Sequence, residues 1–228
     1  MKAKVGTIDI GISKWQPDGS SLVWSTYLGG SLGNESPHSL VVNTNDELYV
    51  LGSSGSSDFP TTAGCFDNSF NGGPALAFGI GYGYGHNNGV DIVVAHLNAA
   101  ATALIGSTYV GGSGTDGINN ALTLAHNYGD SFRGEIALDP LERPVVATST
   151  ESSDCPTTPG APQAGFGGVQ DAYIFRLDPG LTTQLWATYH GGSNADSGYG
   201  VQFDSAGEVY VAGGTTSIID FVIPNPQQ

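Results

Sequence analysis

The sequence predicts an all-β protein built from about three copies of one antiparallel unit, and three observations carry that expectation. Thr-Tyr-x-Gly-Gly-Ser stands at residues 26–31, 108–113 and 188–193, with successive tyrosines 82 and 80 residues apart. Asp9, Asp91 and Asp171 open apolar runs at those same two spacings, so whole structural units recur rather than one short motif. Thirty-five glycines in 228 residues fall between short apolar runs without a collagen-like period, where tight turns need them. Repetition on this scale marks a modular architecture in which each unit buries its apolar face against the next.

Each unit reads as two hairpins. The first is represented by residues 171–177 and 185–189 around Asp178-Pro179-Gly180, with counterparts at 7–15 with 24–28 and at 91–97 with 105–110. Apolar residues alternate and β-branched or aromatic types dominate, as half-buried strands require. The second hairpin is 200–204 and 208–212 around Ser205-Ala206-Gly207, matched by 40–43 with 48–51 and by 136–139 with 145–148. Four strands per unit and about twelve in all predict a β-propeller-like array of about three four-stranded antiparallel blades. Residues 200–204 and their counterparts are expected innermost and 185–189 farther out; sheets stacked as a solenoid are the alternative.

Unequal spacings locate two insertions. The first unit carries 16 extra residues near 74–89 and the middle one about 14 near 120–134, and removing them leaves a common repeat of 66. Insertions that spare the strands belong to loops, where binding usually lives. The expected organisation is a single repeat domain: half blade 5–30, blade 31–112 with insertion 74–89, blade 113–192 with insertion 120–134, and half blade 193–224.

Composition narrows the function. Six basic residues against 21 acidic ones give a formal charge of −15, which repels nucleic acid and anionic lipid and attracts cations. No apolar stretch approaches the length needed to span a bilayer, and no signal-peptide core follows Met1, so a mature fragment without membrane insertion is expected. Cys65 and Cys155 occupy corresponding loops at non-equivalent positions, which favours two free thiols over a disulfide.

The repeated phrase, together with Val-Gln-Phe-Asp-Ser-Ala-Gly-Glu-Val-Tyr-Val-Ala-Gly at 201–213, Ser-Asp-Phe-Pro-Thr-Thr at 57–62 and Ser-Asp-Cys-Pro-Thr-Thr-Pro-Gly-Ala at 153–161, resembles the bacterial SBBP-type β-propeller repeats over nearly the whole chain. The resemblance implies an exported or cell-surface protein with a scaffold or adhesion role, and no catalytic residues. The sequence departs from the pattern at Glu142-Arg143-Pro144, at Val222-Ile223-Pro224 and in both insertions.

Three chemistries compete for the loops. Asp116 and Asp196, after the Gly-Gly-Ser phrases, are candidate Ca²⁺ ligands on a chain of this charge, although Asp and Asn also close turns by side-chain to backbone hydrogen bonds, and no segment has EF-hand spacing. Tyr82, Tyr84, His86 and Asn87 in the first insertion, with Tyr128 and Arg133 in the second, offer aromatic faces and hydrogen-bonding groups for a glycan or a protein at the cell surface; a self-packed loop is the plainer reading. A glycoside hydrolase or lyase would need two facing carboxylates from separate loops, and no nucleophile elbow, zinc helix or cofactor fingerprint is present. A non-catalytic binding module with no required cofactor is therefore expected, with a Ca²⁺-stabilised structural spacer as the other non-enzymatic reading. The half blades at the two ends point to an open arc of a larger ring, or to a homodimer completing a six-bladed one.

Overall fold

A computed structural model describes residues 8–77, 85–126 and 128–218, with Tyr128 described in its backbone alone. Of the residues expected to bind, Tyr82, Tyr84 and the side chain of Tyr128 lie outside this description. The chain opens with the hairpin β1 (Ile10–Trp15) and β2 (Leu22–Leu28). A four-stranded blade follows from β3 (Glu35–Val42) and β4 (Leu48–Ser54), then β7 (Asp91–Leu97) and β8 (Leu104–Val110). Between its halves the first insertion forms a ribbon of β5 (Leu76–Ala77) and β6 (Gly85–His86). The single helical turn α1 (Tyr128–Ser131) precedes the second blade of β9 (Glu135–Leu138), β10 (Pro144–Thr150), β11 (Asp171–Leu177) and β12 (Gln184–His190). The hairpin β13 (Asp196–Phe203) and β14 (Val209–Thr215) ends the described chain.

All pairings within the blades are antiparallel, and the first strands lie next to one another, β3 against β9 and β9 against β13. The sheets thus turn about a shared line of inner strands, as in a propeller. The strands expected from alternation are present, and β5 and β6 add a ribbon inside an insertion expected to be loop alone. The inner strands β3 and β13 also begin earlier than alternation indicated. Pro37 and the Gly198–Gly200 stretch break the period there, because one extra residue, His38 in β3 and Tyr199 in β13, bulges out of the ladder.

The middle strands β4, β7 and β10 are buried along their whole length, since each has the other blade on one face and a terminal hairpin on the other. One core packs Tyr49, Leu51, Ile92 and Val94 of the first blade against Tyr173, Phe175, Leu177 and Tyr189 of the second. A second core joins Ile10, Ile12 and Leu28 of the opening hairpin to Val50, Val93 and Tyr109, and a third sets Val145, Ala147 and Ile174 against Val201 of the closing hairpin. Each such side chain contributes about 1.5–3 kcal/mol by leaving water, so the interfaces between units, and not the hairpins themselves, hold the array together.

The tyrosine of the repeated phrase locks each blade at its outer strand. Tyr189 donates to the Ser152 carbonyl at 2.9 Å, and Tyr109 donates to the Ser56 carbonyl while receiving the Phe59 N–H at 3.0 Å. Each hydroxyl ties the last strand to the loop leaving the second strand. Cys65 and Cys155 are both unpaired, and Cys155 is buried beside the Thr150 hydroxyl. Tyr189→Phe leaves the Ser152 carbonyl without this donor at a buried site and is expected to lower unfolding stability by about 1–3 kcal/mol in urea titrations, with the sheet content unchanged.

Candidate functional site

Antiparallel strands alternate in direction, so the connections after β2, β4, β8, β10 and β12 all emerge at one end of the array. That end gathers the Gly-Gly-Ser loops, the repeated acids and both insertions.

The acids work in pairs. The Gly112 N–H donates to Asp116 Oδ2 at 2.8 Å, and the Gly192 N–H donates to Asp196 Oδ2 at 2.7 Å. Ser152 and Ser217 add hydroxyl donors to the same two oxygens, each at 2.8 Å, and the Thr150 hydroxyl donates to Asp116 Oδ1. Glu35 holds the corresponding place at the first junction and accepts from Ser54 at 2.8 Å. Facing each is the aspartate that opens the third strand of a unit. Asp91 accepts the N–H groups of Asn71 at 2.6 Å and Gly72 at 3.0 Å, and Asp171 accepts that of Gly167 at 2.7 Å.

A glycine is wedged between the two carboxyls at every junction. A Cβ on Gly111 would stand 2.7 Å from Asp116 Oδ2 and 3.2 Å from Asp91 Oδ1; on Gly191 it would stand 2.5 Å from Asp171 Oδ1 and 2.9 Å from Asp196 Oδ2. At Gly29 the neighbours are Glu35 Oε2 at 2.5 Å and the Asp9 carboxyl carbon at 3.0 Å. The second glycine is confined in turn by an acid of the next loop, Asp58 against Gly30 and Asp154 against Gly112. Those outer acids bind the following N–H, Asp58 that of Ser31 at 2.9 Å and Asp154 that of Ser113 at 2.8 Å. The Gly-Gly phrase therefore records crowding by carboxyls, which no side chain could share.

Burial pushes the Asp91 carboxyl up to about 8, with the charge of Asp116 adding to the effect. Burial likewise lifts Asp116 to about 6 and Asp171 to about 6, and raises Glu35. A facing pair with one strongly raised member is the arrangement a glycosidase needs. Here, however, Asp91 and Asp116 are both 0% exposed, their oxygens are taken up by backbone and hydroxyl donors, and the arrangement recurs at each junction. No substrate reaches them. The pairs fasten loops, and Asp116, expected as a calcium ligand or a turn closer, acts as a turn closer. At Asp196 the second oxygen, Oδ1, has no hydrogen-bond partner. Among the described residues no group of three or more His, Cys, Asp or Glu side chains is placed to hold a metal ion.

The insertions meet beside these loops. Residues 119–134 enter where a single bulged residue stands in the other units, and the bulged residues on either side clasp them. The His38 ring meets Phe132 edge-on at 6.1 Å, while Tyr199 receives the Asn119 amide at 2.9 Å and lies under the Arg133 guanidinium at 5.3 Å. Phe132 packs with Val90 and Ile118, and Leu76 of the first insertion packs on the same cluster. The two insertions thus share one small core. Arg133 remains exposed and pairs with Asp130 at 3.4 Å. His86 is 2% exposed, its ring against Gly55, and burial pulls its pKa down to about 4; it supports the loop rather than facing solvent. Asn87 and Asn88 are exposed and line a polar cleft with Ser31, Asn34 and Gly55.

Sequence reasoning missed the roles of Asp9, Asp91 and Asp171 as partners of the loop acids. The signal was present, because the partners are separated by 26, 25 and 25 residues in the three units.

Four-stranded blades joined by fastened loops around neighbouring inner strands define a propeller-type repeat protein. Residues 23–60 and 185–220 match the SBBP family, described as a beta-propeller repeat. Both matched segments run from the outer strand of one unit through the Gly-Gly-Ser loop into the first two strands of the next, whereas the corresponding middle stretch is interrupted by residues 119–134. No curated protein matches the chain.

Stability should follow the protons on these pairs. Folding keeps Asp91, Asp116 and Asp171 protonated above the ordinary carboxyl value of 3.8, where the unfolded chain has already released its protons. Above about pH 6.5, where histidines are neutral in both states, the folded state binds more protons through Asp91, so its stability falls as pH rises, whereas at lower pH the buried His38 and His86, held neutral by burial, oppose that slope. Thermal midpoints are expected to drop from about pH 6.5 to 8.5, and Asp91→Asn to flatten that slope.

Proposed function

We propose that this protein is a non-catalytic propeller module of an exported or cell-surface bacterial protein, and that it binds glycans or surface proteins through the face built by its two insertions. One observation carries the reading: Leu76 and Phe132, from insertions in different units, pack into one cluster at the end where the fastened loops emerge. Loops that differ between units and are nonetheless held rigidly together make a binding surface, while the repeated residues beneath them are committed to the framework. Arg133, Asn87 and Asn88 supply exposed hydrogen-bonding groups on this face.

The binding face is tested by glycan arrays and by capture of surface proteins. Arg133→Ala combined with Asn87→Ala is expected to reduce retention at least tenfold with an unchanged melting midpoint. Retention that persists in the double variant, or hydrolysis of a glycan that disappears on replacing one acid, would move the function elsewhere on the molecule. Because the loop acids close turns, melting curves in Ca²⁺ and in chelator are expected to coincide; a midpoint raised by Ca²⁺ would return the ion to Asp196, whose Oδ1 is open.

A further inference from the structure

The two terminal hairpins are halves of one blade. Among the described residues β1 pairs only with β2, and β14 only with β13, so each keeps one free edge. Both complete blades join their second and third strands in one register. Ser54 faces Asp91 and Leu48 faces Leu97 in the first; Thr150 faces Asp171 and Val145 faces Arg176 in the second. The pairs Glu35↔Ser54 and Asp196↔Thr215 align β14 with β4, and the pairs Ile92↔Val110 and Ile10↔Leu28 align β1 with β7. Carried onto the free edges, the same register sets Thr215 opposite Asp9, Ala212 opposite Ile12 and Tyr210 opposite Lys14.

Side-chain chemistry agrees with that alignment. In the first blade His96 Nε2 lies 3.1 Å from Glu47 Oε2, and in the second Arg176 Nε lies 3.6 Å from Asp139 Oδ2. A basic residue on the third strand therefore meets an acid from the turn of the first hairpin. Lys14 occupies the equivalent place on β1, and Asp204 and Glu208 flank the equivalent turn before β14. Both Lys14 and Glu208 are exposed, in a chain with only six basic residues.

Apolar surface agrees as well. Tyr109 and Tyr189 are each 1% exposed with their hydroxyls on serine carbonyls, whereas their counterpart Tyr27 is 43% exposed. The serine at the matching position is Ser217. Trp15 and Leu22, paired at the far end of the same hairpin, are 58% and 45% exposed. The outer part of the second blade is correspondingly uncovered, leaving a cleft lined by Pro159, Pro162, Ile174, Trp186, Val209 and Val211.

We propose that a second copy of this chain completes the blade: β1 of one copy adds to β14 of the other, Lys14 meets Glu208 and Asp204, Tyr27 donates to the Ser217 carbonyl, and Trp15 and Leu22 cover the Trp186 cleft. The exchange is reciprocal. Two seams close two copies into a ring of six blades, within the four to eight that propellers use, and pair the free edges of β1 and β14 in both copies.

Sedimentation velocity on the chain at micromolar concentration, with circular dichroism as a check on folding, tests this. The expected result is a species of twice the chain mass. Lys14→Glu and Glu208→Lys should each raise the dimer dissociation constant at least tenfold with an unchanged spectrum, and the two changes together should restore at least half of the lost dimer. A wild-type monomer at tens of micromolar, an open series of larger oligomers, or charge reversals that leave the dimer unaffected would each overturn the proposal.

Discussion

The hydrogen bond from the second glycine of each Gly-Gly pair to a buried acid is the contact on which the array depends. It turns the chain from the outer strand of one unit into the inner strand of the next, and so sets how neighbouring blades face each other. The acid is buried, and it lies against the aspartate that opens the third strand of the preceding sheet. Two carboxyls in one buried pocket cannot both remain charged at little cost. The fold accommodates them by holding protons and by surrounding the remaining oxygens with backbone N–H groups and serine or threonine hydroxyls. Packing between blades then follows from the turn, since the Tyr173, Phe175 and Tyr189 side chains reach the preceding blade only at that angle.

The strands were legible because runs rich in β-branched and aromatic residues stand between turn residues, as at 91–97 and 171–177, although these two are buried almost throughout and do not alternate as half-buried strands would. The opening residues of β3 and β13 were not, because a bulge resets the alternation at His38 and Tyr199 and a proline or glycine disguises the rest. The short length of β9 has the same origin: its ladder starts as an isolated bridge between Asp116 and Thr150, leaves for the insertion, and resumes at Glu135. The expected site was partly visible. Loop acids were read as calcium ligands or turn formers, and their partners were hidden, because pairing is made by the path of a whole blade and not by any local period. His86 illustrates the opposite error. Its glycine-rich surroundings suggested an exposed ligand-binding residue, yet the lack of side chains around it is what allows the ring to sink against Gly55.

Framework and variable surface are separated with unusual clarity along this chain. In the complete blades the repeated residues point inward or bond to backbone, as with Tyr109, Asp116 and Asp154. Residues present in one unit alone, such as Phe132 and Arg133, sit on top of that framework and contact each other across unit boundaries. Most of the buried acids are held by backbone N–H or hydroxyl donors, as Asp91 and Asp116 are.

The bulge in the inner strand has an evolutionary corollary. An extra residue already outside the ladder can be lengthened without shifting any pair before or after it, as the replacement of one residue by 119–134 demonstrates. His38 and Tyr199 therefore mark two further ports at which new segments can be grafted beside the propeller axis. A lineage carrying this repeat can diversify what its central face presents by growing one position, while every blade keeps its register.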